Sequence, residues 1–173
     1  LFTYFHWGFH AWGIYAIWYF LYDFILLPGG IFDIYFNTTL ANISADFLSL
    51  LGWDIVYLSR VIKITGSNGL EVISECNGLD IIGLYAGFIL AYPGPNTKRV
   101  FFLLSGVISL FLLNIFRISG LVVSNLYFSN HWNDIHFYSS YLLFYPVILS
   151  LWYYWTTISQ QQNFFSGNEL SSV

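Results

Sequence analysis

Long apolar runs separated by short polar stretches divide the chain. The first runs from about Phe5 to Leu27 and ends at the turn signal Pro28-Gly29-Gly30. About 20 consecutive apolar residues cross a bilayer as a helix, so this run predicts a span, and it is too long for the core of a cleaved signal peptide. A second run extends from Gly78 to Pro93, a third from Val100 to about Phe128, and a fourth from His136 to about Trp155. The pattern therefore predicts an all-α polytopic membrane protein with about four transmembrane helices. Gly83 and Gly87 in the second run form a small-xxx-small pair, which lets a neighbouring helix come close.

Residues 31 to 75 break this pattern. Their first part has apolar residues at partly helical spacing, with Asp33, Asp46 and Asp54 among them, and reads as a small amphipathic surface helix or a packed loop. From Arg60 to Ser74 apolar and polar residues alternate around Gly66-Ser67-Asn68-Gly69, the signal for a β-hairpin leading directly to Cys76. Two Asn-X-Ser/Thr triplets, at Asn37 and Asn42, are assigned no glycan. Residues 1–158 read as one membrane-embedded domain, and 159–173, with three glutamines and no basic residue, as a polar, flexible tail.

Composition agrees with the run pattern. The chain is 57% hydrophobic and 8% charged, too few charges to coat a soluble domain, which carries roughly 25%. Aromatics at 23% suit the bilayer interfaces. No basic run exists, so no nucleic-acid partner is expected. The sequence starts at Leu1 and contains no Met, so further N-terminal residues are expected. The single cysteine excludes an internal disulfide and a cysteine metal cluster. His6 and His10 lie one turn apart without a third ligand nearby; no metal or cofactor is expected. Asp23 reads as a hydrated acid near the end of the first span.

Two of the five basic residues, Lys98 and Arg99, fall in the tight loop between the second and third runs, which places that loop on the cytoplasmic side. Residues 31–76 and 129–136 then lie outside, and both termini inside. Cys76 lies 17 residues before Pro93, and Arg117 lies 17 residues after Val100. At about 1.5 Å per residue, each is roughly 26 Å from the inner turn, near the outer edge of a hydrocarbon core about 30 Å thick. His136 opens the fourth run at the same level. Spacing alone thus puts Cys76, Arg117 and His136 in one layer.

That trio suits nucleophilic catalysis. A thiolate is the reactive form of cysteine, and a nearby cation favours it. Arg117, an arginine inside an apolar run and so a functional candidate, would stabilise either the thiolate or the oxyanion formed when a carbonyl is attacked. His136 would move protons; His131, five residues earlier, competes for that role, and His136 is preferred because it begins the apolar run with Ser140 one turn on. Asn114 shares a helix face with Arg117 and would support it or the substrate. Glu75 precedes the cysteine. Asp80 either pairs with Arg117 or caps the helix. Each residue has an inert alternative: cysteine as packing, arginine snorkelling to headgroups.

The stretch Glu75-Cys76-Asn77-Gly78-Leu79, then Asn114-Ile-Phe-Arg117, then His136 at the head of a last span resembles the exosortase/archaeosortase family, in particular its short bacterial members. The resemblance covers roughly residues 45 to 156. Two positions depart from the family pattern: Asn77 stands where Ser or Ala is usual, and Ser140 where Gly is typical. The resemblance implies a membrane cysteine transpeptidase in the bacterial inner membrane, with its site facing the periplasm. Its substrates would be secreted proteins whose C-terminal sorting signal combines a short motif, a membrane span and a basic end. Cys76 would form a thioester, His136 would protonate the leaving amine, and an acceptor would resolve the thioester. The alternatives are a membrane cysteine protease in which water resolves the thioester, and a non-enzymatic scaffold or transport subunit.

Overall fold

The computed structural model of the chain describes residues 13–20, 22, 24 and 30–170, the side chains of residue 32 and of 161–170 excepted. His6, His10 and Asp23 lie outside the described residues, as does most of the first expected span. Residues 13–20 are helical. Then come α1 (Ile31–Leu50), β1 (Ile55–Leu58), β2 (Val61–Ile64), β3 (Leu70–Glu71), a 3-10 turn at Ser74–Cys76, α2 (Leu79–Ala91), α3 (Asn96–Tyr127), a 3-10 turn at Ser129–His131 and α4 (Trp132–Leu170).

Among the described residues, two helical stretches are long and apolar enough to cross a membrane, Asn96–Tyr127 and Ser129–Gln160. The second expected span is shorter. Its helix, α2, has 13 residues and rises about 20 Å, less than a hydrocarbon core of about 30 Å. The apolar run from Gly78 to Pro93 is longer than its helix because Gly78 at one end and Tyr92-Pro93 at the other have left helical geometry.

Helix α3 packs antiparallel to both α2 and α4, which run in the same direction. Tyr85 of α2 lies opposite Gly106 of α3, where a Cβ would overlap its ring, and donates its hydroxyl to the Phe102 carbonyl at 2.6 Å. At one end Arg99 Nη2 donates to the Tyr92 and Gly94 carbonyls at 3.3 and 3.2 Å, closing the α2–α3 turn. At the other end Gly78 faces Asn114. Helix α4 runs back along α3. Trp155 packs on Phe102, and Ser139 and Phe144 lie beside Arg117. Tyr85, Ile89, Leu110, Phe144, Ile148 and Trp155 form the core of this bundle. Residues 13–20 lie against the glycine face of α2: a Cβ at Gly83 would overlap Trp18, and Gly87 faces Ile14.

Helix α3 has 32 residues, about 48 Å, and so outruns the bilayer core. Its far end carries a second core. Leu40, Ala41, Ala45 and Leu48 of α1, Ile62, Ile64, Leu70 and Val72 of the sheet, and Ile115, Ile118, Leu121 and Val122 of α3 pack together. Segment 31–50 is therefore a helix and not a loop, with one face exposed and the small residues of the other seating it against α3. Asn37 is fully buried, which leaves no room for a glycan there.

The β region is larger than a hairpin. Strand β2 pairs with β3 (Ile62 with Leu70) around the expected Gly66–Gly69 turn, and also with β1 (Val56 with Lys63). The β1–β2 turn at Ser59-Arg60 lacks glycine or asparagine, and Ser59 takes φ 55° there; without the usual turn residues, β1 was hidden within the mixed stretch. The helix of α4 continues to Leu170, through most of the stretch expected as a tail.

Close packing of α2 on α3 makes a prediction. Gly106→Val should destabilise the bundle by about 1–3 kcal/mol through overpacking against Tyr85. Gly120→Ala, with open space around it, should be neutral or stabilising by up to about 1 kcal/mol. Thermal unfolding of both variants in detergent checks the contrast.

Candidate active site

The site sits where the bundle meets the second core. The backbone leaves β3, makes one 3-10 turn over Ser74–Cys76 and enters α2 through Gly78. This turn is non-helical backbone beside membrane helices, so its carbonyls need partners from the protein. Asn114 Nδ2 donates to the carbonyls of Cys76 and Asn77 at 3.1 and 2.7 Å. Arg117 Nη1 donates to the Cys76 carbonyl at 3.3 Å. Gly78 makes the approach feasible: its φ is +77°, and a Cβ there would lie 3.2 Å from Asn114 Nδ2.

Cys76 Sγ lies 3.1 Å from His136 Nε2. His136 is in the first turns of α4, stacked at a tilt against Trp132, with ring centroids 5.8 Å apart. Arg117 connects the two sides. Its Nε donates to Ser139 Oγ at 3.2 Å, and Ser139 Oγ in turn donates to the His136 carbonyl at 2.8 Å. The Phe144 ring lies 5.9 Å below the guanidinium carbon. Cys76, Asn114 and Arg117 are all buried, the arginine only 4% exposed. Among the described residues the hydrogen-bond partners of Arg117 are a carbonyl, a hydroxyl and an amide, all neutral. Its positive charge is thus held inside the protein by neutral groups.

Burial pushes the Cys76 thiol above its ordinary range, and the charge and hydrogen bonding of Arg117 pull it partly back.

The structure brings Cys76, Asn114, Arg117 and His136 together. It leaves His131 exposed in the 3-10 turn before α4. Glu75 is exposed, and Asp80 is exposed in the first turn of α2. Asn77 Oδ1 accepts the Leu79 N–H at 2.9 Å where α2 begins. Ser139 meets Arg117 from α4. Asp33 and Ser74 also join the site, since Ser74 Oγ donates to Asp33 Oδ2 at 2.6 Å. Sequence reasoning left both out, although an acid followed one turn later by Asn37 in an apolar segment was a usable signal. No group of three or more His, Cys, Asp or Glu able to hold a metal exists among the described residues.

A buried cysteine–histidine pair, an arginine with neutral partners and a membrane-crossing helical bundle define a membrane protein with a candidate thiol active site. Comparison with known families makes this specific: the family model for transmembrane exosortases matches residues 2–153, and the chain belongs to that family. Membership implies, in general terms, a membrane transpeptidase role in protein sorting. No curated protein and no solved structure matches the chain.

The thiol environment is testable because Cys76 is the sole cysteine. Its alkylation by iodoacetamide should rise with pH at a higher midpoint than for an exposed cysteine. Arg117→Gln removes the charge that favours the thiolate, so the midpoint should move higher still. A midpoint that stays put or falls in the variant would contradict this assignment of the arginine.

Proposed function

We propose that the protein is a cysteine transpeptidase that cleaves the C-terminal sorting signal of secreted proteins and passes the new C-terminus to an acceptor amine. The single observation that carries this reading is the 3.1 Å approach of Cys76 Sγ to His136 Nε2, with Arg117 bonded to the same turn. Family membership supplies the reaction class.

In this reading His136 takes the thiol proton as the sulfur attacks a peptide carbonyl. The carbonyl π electrons move to oxygen, and Arg117 stabilises that oxyanion. The guanidinium suits this task because its partners are neutral and its charge is not cancelled by an acid. Collapse of the tetrahedral intermediate breaks the C–N bond. The imidazolium gives its proton to the leaving amine, which departs with the membrane span and basic end of the signal. The thioester at Cys76 remains. An incoming amine, deprotonated by His136, attacks it, expels the thiolate and forms the new amide. Asn114 holds the Cys76 turn throughout. The site would face the periplasm from the bacterial inner membrane, with the Lys98-Arg99 loop on the cytoplasmic side.

The test is co-expression with a secreted substrate carrying such a tail. Cys76→Ala, His136→Ala and Arg117→Ala should each lower processing by at least about 100-fold, in line with loss of a nucleophile, a general acid–base or an oxyanion donor. Arg117→Lys should also be strongly impaired, because an ammonium lacks the fork that reaches Ser139 and the Cys76 carbonyl together. His131→Ala should retain activity. Mass spectrometry of the product distinguishes transfer, seen as an added group, from hydrolysis, seen as a free C-terminus. Processing that survives all three alanine variants would exclude the catalytic reading.

A further inference from the structure

Asp33 stands in the first turn of α1, 6% exposed, and lies far from Cys76 in sequence. Both of its carboxyl oxygens accept hydrogen bonds. Oδ1 accepts from Asn77 Nδ2 at 3.1 Å and from the Tyr22 hydroxyl at 3.3 Å. Oδ2 accepts from Ser74 Oγ at 2.6 Å and from Asn37 Nδ2 at 2.9 Å. Asn77 Nδ2 also donates to the Tyr22 hydroxyl at 3.0 Å, which closes a triangle. Ser74 and Asn77 are the residues that bracket the 3-10 turn carrying the cysteine.

The turn has few other restraints on that side. Its internal backbone bonds are those from Cys76 N to the Ile73 carbonyl at 2.9 Å and from Asn77 N to the Ser74 carbonyl at 3.3 Å. Asn114 and Arg117 grip its carbonyls from α3, and Asp33 grips its side chains from α1. The sulfur faces His136 of α4, which meets Arg117 through Ser139 and Phe144. A displacement of about 1 Å at such a site can cost about 100-fold in rate.

We infer that Asp33 is a positioning residue that holds the Ser74–Asn77 turn so that Cys76 faces His136, with Asn77 as its matched partner. This rests on the reading of Cys76 as nucleophile. It also accounts for asparagine at position 77, where a shorter residue is usual. Only a side chain with both a donor and an acceptor can bond Asp33 and Tyr22 through Nδ2 while accepting the Leu79 N–H through Oδ1.

The experiment uses the full chain in nanodiscs and compares Asp33→Asn, Asn77→Asp and the double exchange. Cys76 alkylation by iodoacetamide and the kcat and KM of tail cleavage are measured for each. Asp33→Asn replaces one of two accepting oxygens with an N–H donor, which must then face the amide N–H of Asn77 or of Asn37, and Asn77→Asp sets two carboxyls together. Each should lower kcat about tenfold or more, with KM little changed, while alkylation speeds up as the thiol leaves its buried place. The exchange restores one donor facing one acceptor, so kcat should recover well beyond the product of the two single losses, and alkylation should slow again. Unchanged kcat and alkylation in Asp33→Asn, or an exchange that merely multiplies the single losses, would overturn the inference. Should the single variants fail to fold, Ser74→Ala removes one bond only; normal kcat and alkylation there would count against it. Processing retained in Cys76→Ala would instead refute the transpeptidase reading, while the alkylation series would still judge Asp33.

Discussion

The unpaired backbone carbonyls of the turn between β3 and α2 are the constraint around which this protein is built. Cys76 and Asn77 are buried, so their carbonyls need partners within the protein. Leaving such a group unpaired costs about 1–3 kcal/mol. Helix α3 meets the need with Asn114 and Arg117, one turn apart on one face. Much else follows from that choice. Gly78 must be glycine so that Asn114 can come close. The register of α2 on α3 is set so that position 78 faces position 114. The arginine, engaged by a carbonyl, keeps its charge available.

The two cores divide the work. The bundle core, with Tyr85 against Gly106 and Trp155 against Phe102, fixes three helices in depth and register. The second core is built on the extension of α3 and ties α1 and the small sheet to the same helix. The cysteine turn lies at the junction, covalently linked to the sheet on one side and to α2 on the other. It is therefore gripped from α1 through Asp33, from α3 through Asn114 and Arg117, and approached from α4 by His136. Three separate elements converge on a segment with little regular structure of its own. This is how a short, non-helical segment can be held rigidly enough to aim a sulfur.

The elements differ in how openly they announced themselves. The apolar runs of α3 and α4 were legible because lipid-facing length needs little context. The level shared by Cys76, Arg117 and His136 followed from counting residues along antiparallel helices. Strand β1 was not legible, because its turn at Ser59-Arg60 carries none of the usual residues and its own positions are largely exposed. The length of α2 was overread, since apolar character continues through Gly78 and Tyr92-Pro93 where helical geometry does not. Ser139 was not legible as a partner of Arg117, because that contact depends on the rotation of α4 about its axis.

By itself the sequence determined that the chain is a membrane protein, where its long apolar helices lie, and which residues are candidates for nucleophilic chemistry, since hydropathy, length and residue type are local properties. Family resemblance through short motifs belonged to the same level. Tertiary structure alone decided what surrounds those candidates: Asp33 beneath the cysteine turn, Ser139 between arginine and histidine, and Asn77 bonded to Asp33. Those roles rest on hydrogen bonds between residues up to 44 positions apart. A hydrogen bond requires a direction and a distance of about 3 Å, and neither exists until the helices have packed.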